Sequence, residues 1–235
     1  MLAITPNILA KFLNFCSKYV FILSLILSSI AAILIILLEN DYYQGISFKI
    51  MFVHVPTAWL SLLIFFTMGV SSIIGLVFKS PTSFTISRAL SPLGLIMSII
   101  VLITGSIWGN LTWGTYWVWD ARLTSMLILA FIYLGHILLL NSFDHFQKSD
   151  FAASILAIIG LVNLPIVKFS VDWWTTLHQG ASVFKVGGPS MTNDYLITLL
   201  LCFAALFSLC FYWFSNIFYI ITENRRIERI KLLNQ

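Results

Sequence analysis

Charge is what this chain of 235 residues has least of. Asp, Glu, Lys and Arg make up 9% of it, where a soluble domain carries about a quarter. Cysteine is scarcer still in number. The three present, Cys16, Cys202 and Cys210, form no CxxC pair, which excludes a disulfide framework and argues against thiol–disulfide chemistry. The stretches between apolar runs are too short for a second domain. What is present in excess is apolar surface: 60% of the residues are hydrophobic and the mean hydropathy is +0.97, so the solvent of this protein is lipid.

A helix rising about 1.5 Å per residue needs about 20 mostly apolar residues to cross about 30 Å of hydrocarbon. Six segments qualify, near 20–38, 58–78, 90–108, 123–140, 151–169 and 195–221. They predict an all-α, polytopic membrane protein forming a single integral domain over residues 1–235. The first run follows Lys11 and Lys18 as in a secretory signal, but it is too long for a signal h-region and LLENDYY is no small-residue cleavage site. Positive loops are retained on the cytoplasmic side. With the N-terminus inside, the inner segments hold Lys11, Lys18, Lys79, Arg88, Lys148, Arg225, Arg226, Arg229 and Lys231, and the outer ones only Lys49, Arg122, Lys168 and Lys185. Both termini are therefore expected in the cytoplasm. This bias and the basic tail account for the net charge of +4 without a nucleic-acid partner.

Against this apolar background one stretch stands apart, the outer loop at about 108–124, which reads WGNLTWGTYWVWDARLT. Tryptophan anchors both faces of a membrane protein, yet Trp108, Trp113, Trp117, Trp119, Trp173 and Trp174 all fall on the outer side of this topology, with Trp59 leaning that way and Trp213 in the inner half. The asymmetry favours a binding platform over a belt. Two of the four histidines reach the same face. His54, in FVHVPTAW, stands at the mouth of the second span, where Pro56 either opens or kinks the helix because it lacks an N–H. His178, in VDWWTTLHQG, lies in the last outer loop. His136, within the fourth span, and His145, beside Asp144, read as ordinary hydrogen-bonded residues.

Two neutral imidazoles from opposite sides of a cleft suit the axial positions of iron in a planar macrocycle, whose equatorial sites are already filled. Indole faces stack on such a ring or line its edge, and Arg122 offers a two-point partner for a propionate. If the outer segments are helical, Trp113 and Trp117, and likewise Trp174 and His178, share faces one turn apart. Asp120 is costly to bury alone. It either ties the loop together through backbone or indole N–H groups or meets the ligand directly, and the first is favoured.

The run Trp113–Thr124, WGTYWVWDARLT, resembles the tryptophan-rich WWD signature of the haem-handling proteins of cytochrome c maturation. HVP around His54 and WWxTLHQG around His178 are similar to two further hallmarks of one branch, the CcmC family, and together the three motifs cover the chain from about Tyr42 to Gly180. The resemblance implies haem b, held at the outer face of the inner membrane by His54 and His178, and cradled by Trp113, Trp117, Trp119, Asp120, Arg122 and Trp174. It implies delivery of haem for c-type cytochrome biogenesis, not enzymatic catalysis, with the chaperone CcmE as acceptor and CcmA, CcmB and CcmD as partners. The membrane is bacterial or mitochondrial, with the site facing the periplasm or intermembrane space. The loop after Gly180 and both tails lie outside the signature.

Other classes fit less well. A b-type cytochrome subunit of a redox enzyme usually places its histidine pairs within the spans. A permease needs midplane ionisable groups, of which these spans have almost none beyond His136, and a purely structural subunit would bind no haem.

Overall fold

The computed structural model describes residues 6–180, 182–185 and 187–233. Among them the chain is all α-helical, with no strand beyond an isolated Asp41–Gly45 bridge. The helices are α1 (Pro6–Leu37), α2 (Met51–Phe78), α3 (Pro81–Trp113), α4 (Ala121–Asn141), α5 (Phe146–Gly160), α6 (Asn163–Trp173) and α7 (Asn193–Leu233), and a short 3-10 turn (Ile46–Ile50) leads into α2. Counting the 3-10 turn with α2, and α5 with α6, this makes six helical stretches long and apolar enough to cross a membrane.

The helices run past the apolar windows, because helix ends are set by caps, not by hydropathy. The α2–α3 hairpin turns within two residues: Lys79 adopts the left-handed conformation (φ 50°) as cap of α2, and the Ser80 side chain accepts the Ser83 N–H ahead of Pro81. Such a tight turn forces α2 and α3 to lie antiparallel and in contact. Pro56 lies inside α2, five residues past its start, so it neither opens the helix nor ends it. Within the fifth span, α5 stops at Gly160 and α6 starts at Asn163, two residues ahead of Pro165, which has no N–H to give to the preceding turn. The break is tied to α4, whose Ser125 carbonyl accepts a 2.9 Å hydrogen bond from the buried Asn163 side chain.

Two kinds of packing build the bundle. The buried residues of α1 are Ala10, Ser17, Ser24 and Ala31, a strict seven-residue repeat of small side chains. A repeat of seven keeps one seam facing a partner helix, and small residues let the backbones approach where no hydrophobic effect drives association. The partner is α7, and most other faces of α1 are left to lipid. The central helices α2, α3 and α4 instead enclose a core of large side chains, among them Leu60, Phe65, Met68, Leu93, Met97, Leu129 and Tyr133. Tyr133 is fully buried and its hydroxyl donates to the Ser61 carbonyl at 2.7 Å.

At one end of the bundle Arg88 of α3, Asp150 of α5 and Arg225 of α7 form a buried ion cluster, with Asp150 3.0 Å from Arg88 and 2.7 Å from Arg225. Both guanidinium groups also lie over the Phe146 ring. His145 precedes α5 and stands 3.5 Å from Glu228 of α7, so its charged neighbour is Glu228. The opposite end, where residues 38–50, 114–120, 174–180, 182–185 and 187–192 join the helices, carries the cavity described next.

Candidate functional site

A cavity of 520 Å³ opens at that second end, walled by α2, α3, the start of α4, α6 and the loop after α6. It lies within the usual 300–1,000 Å³ of ligand pockets. His54, Trp113, Arg122 and His178 all line it, together with Trp59, Trp108, Phe169 and Phe184.

His54 is placed by helix geometry. It projects from the first turn of α2 toward α3, where its Nδ1 lies 3.0 Å from Thr104 Oγ1. That hydroxyl donates its own proton to the Ile100 carbonyl at 2.6 Å, so it accepts from the imidazole, and Nδ1 carries the hydrogen. Room for the ring comes from Gly105: a Cβ there would stand 2.8 Å from His54 Cε1. The Trp108 indole meets the ring edge-on at 5.7 Å, with its own N–H donated to Gln44 Oε1 at 2.8 Å.

His178 is placed by a loop and an acidic cap. Gly114, with φ 75°, ends α3 in a conformation other residues rarely adopt. The chain then folds back, held by the Ser106 hydroxyl on the Tyr116 carbonyl at 2.7 Å. Asp120 caps α4 through Oδ1, which accepts the Leu123 N–H at 2.8 Å. Its Oδ2 accepts the Thr176 hydroxyl and lies 3.3 Å from His178 Nδ1. The Thr176 oxygen also accepts the His178 backbone N–H at 3.1 Å. Trp113 packs edge-on against the His178 ring, with centroids 4.9 Å apart. In both histidines, therefore, Nδ1 is occupied by the protein, and among the described residues nothing hydrogen-bonds either Nε2.

The charges are arranged to keep a free imidazole lone pair. Burial, then the Arg122 guanidinium, push the His178 pKa below its ordinary 6.5, against the pull of Asp120. Burial disfavours the Asp120 carboxylate, but hydrogen bonds from Leu123 and Thr176 and the nearness of His178 outweigh it and hold its pKa below the usual carboxylate value. The Arg122 guanidinium makes no ion pair or hydrogen bond among the described residues, and Arg122 lines the cavity together with Lys168 and Asp172. A cation so placed suits an anionic ligand group.

The outer segments are not helical throughout, which changes the expected pairings. Trp113 is the last residue of α3, and Trp117 follows the Gly114 turn, so the two do not share a helical face; the partner of Trp113 is His178. Trp117 packs against Trp119 at 5.4 Å, and its indole N–H is buried without a partner among the described residues. Trp174 packs on Trp173 and is separated from His178 by irregular chain. Trp117, Trp119 and Trp174 do not line the cavity, and Trp119 is 77% exposed. Thr104, Gly105 and Thr176 were not singled out by sequence reasoning for this site, and Trp59 and Trp108 entered it only as members of the outer-side tryptophan set. A signal existed for some of them: Thr104-Gly105 and Trp108 lie one helical turn apart on α3.

His136 belongs elsewhere, buried in the core between α3 and α4, with Nδ1 3.0 Å from Ser91 and Nε2 3.3 Å from Ser87. Among the described residues no three His, Cys, Asp or Glu side chains cluster as a metal site; two imidazoles suffice only where another group fills the remaining positions of the metal.

The family described as CcmC, "Heme exporter protein C", matches residues 2–231. A protein of Bradyrhizobium diazoefficiens called "Heme exporter protein C" is 47% identical over 74% of this chain and 66% of its own length, so the chain spans just under two thirds of that relative. A protein of the same name from Haemophilus influenzae is 41% identical over 83% of the chain and 80% of its own length. A "Putative cytochrome c biosynthesis ccmC-like mitochondrial protein" of Marchantia polymorpha is 44% identical over 80% and 77%.

Proposed function

The chain belongs to the CcmC family of haem exporter proteins, and on that premise we propose that it binds haem b between His54 and His178 and delivers it for c-type cytochrome maturation. One observation carries this reading: two imidazoles from distant parts of the chain line one cavity with Nδ1 satisfied by the protein and, among the described residues, no hydrogen bond to Nε2. Haem is cargo here, and no bond within it changes, so the protein acts as a handling and transport component, not as an enzyme.

Each residue has a task in holding it. His54 and His178 supply the axial nitrogens. Trp113, with Trp59 and Trp108, lines the apolar porphyrin, and Arg122 takes a propionate carboxylate through a charge-assisted pair. The exposed Trp119 and Trp174, with Trp117 packed behind Trp119, form the rim that a docking protein meets. That acceptor is the haem chaperone CcmE, and the assembly includes CcmA, CcmB and CcmD. The Lys and Arg bias supports an orientation with both termini in the cytoplasm and the cavity on the periplasmic or intermembrane-space side of an inner membrane.

The test is the absorption spectrum of the detergent-purified protein loaded with haem, followed by transfer to purified CcmE. A six-coordinate, low-spin spectrum that disappears in the His54→Ala/His178→Ala double variant is expected. A double variant that keeps that spectrum would overturn the ligand assignment. Reversible electron exchange with a quinone, in place of transfer, would instead favour a b-type cytochrome subunit.

A further inference from the structure

The two imidazoles are held by unlike partners. His54 Nδ1 gives its proton to a threonine hydroxyl, a neutral and weak acceptor. His178 Nδ1 faces a carboxylate whose other oxygen is fixed on the Leu123 N–H, and Thr176 holds the near oxygen while also binding the His178 backbone. The Asp120 side chain is 5% exposed and that of His178 21%, so water does little to weaken the contact. A carboxylate in this position fixes the ring tautomer and makes the other nitrogen a stronger donor to a metal.

We propose that Asp120 and Thr176 are positioning residues that hold His178 with its lone pair on Nε2, and that through them His178 is the stronger of two unequal axial donors to haem iron. This rests on the haem-binding reading above. The N-cap of α4 and the grip on His178 use different oxygens of one side chain, so they are separable. Asparagine and serine cap a helix about as well as aspartate. Asp120→Asn therefore keeps α4 intact but puts an amide where the carboxylate was, and Asp120→Ser keeps the cap with a side chain too short to reach the imidazole.

A stronger, more anionic donor favours ferric over ferrous iron, so the reduction potential of the bound haem reports the hydrogen bond where a merely structural role would leave it unmoved. Asp120→Asn and Asp120→Ser are expected to raise that potential and to weaken ferric haem binding about 10- to 100-fold, the usual cost of losing such a partner. Asp120→Glu restores part of both. Thr176→Val shifts them in the same direction by less, and Thr104→Val, on the His54 side, by least. Thermal melts in detergent verify that each variant is folded; Thr176→Val, which leaves the cap untouched, carries the test should the Asp120 variants melt early. An unchanged potential and unchanged low-spin electron paramagnetic resonance in folded Asp120→Asn and Thr176→Val would overturn the proposal. If His178→Ala itself keeps the six-coordinate spectrum, the haem reading fails; if His178→Ala loses it while Asp120→Asn does not respond, only this inference fails.

Discussion

Helix α3 receives two histidines, and it treats them oppositely. Near its start Ser87 and Ser91, one turn apart, take both nitrogens of His136. Near its end Thr104 takes only Nδ1 of His54, and the residue a turn further on is Trp108, whose indole meets the ring at its edge and gives its N–H to Gln44. One imidazole is thus saturated by the core, and the other is left with a lone pair facing a cavity. The difference separates a structural histidine from a ligand, and it lies entirely in the neighbours.

The comparison breaks first if the wrong histidine matters. Replacing His54 or His178 by alanine is expected to abolish six-coordinate haem, while His136→Ala keeps the haem spectrum. Ser87 keeps Ser72 as a partner at 3.0 Å, but Ser91 loses the imidazole it faces in the core, which lowers stability by about 1–3 kcal/mol. Absorption spectra and thermal melts of the three variants separate the cases.

At the other end of the bundle Asp150 holds two arginines and takes no part in the cavity. Asp150→Asn removes the carboxylate that pairs with both guanidinium groups, and breaking a buried pair in this way costs about 3–5 kcal/mol. We expect early unfolding in a denaturant titration with the haem spectrum unaltered in the surviving folded fraction. A changed spectrum with unchanged stability would mean that the two ends are coupled.

A finer contrast sits at Gly105. Alanine there gains up to about 1 kcal/mol of helix stability, yet its Cβ meets the His54 ring, whose Nδ1 is fixed on Thr104. Haem affinity is expected to fall roughly tenfold, the fold-change for about 1.4 kcal/mol, with the melting temperature equal or higher. The smallest effect is that of mild acid. Because burial and Arg122 hold the His178 pKa below 6.5, the ring stays neutral as pH falls through 6.5, and protonation competes with iron only below it. Haem retention followed spectrally from pH 8 downward should hold to pH 6.5 and decline at lower values.

How much of this was legible beforehand differs from element to element. The spanning runs stand out in hydropathy because lipid imposes length and apolarity on each helix independently. The seam of α1 was also there to be read, as Ala10, Ser17, Ser24 and Ala31 recur every seven residues. At the site, the side-chain types His54, His178, Trp113 and Arg122 suggested chemistry. Their surroundings did not. The pairing of Trp113 with His178 follows from a turn at Gly114 that a helical reading of the loop overlooked, and the threonines beside each imidazole have no special composition. The Asp150 cluster joins residues 62 and 75 positions apart, a distance at which no local pattern signals contact.

What the chain alone determined is what each residue decides with its near neighbours and the solvent: membrane residence, the number of spans, caps and the inventory of ligand-capable groups. What only the tertiary structure decided is which of those groups keep an unspent lone pair or charge. Hydrogen bonds are short-ranged and saturable, so a nitrogen is occupied or free according to which atom of a remote helix stands within about 3 Å of it.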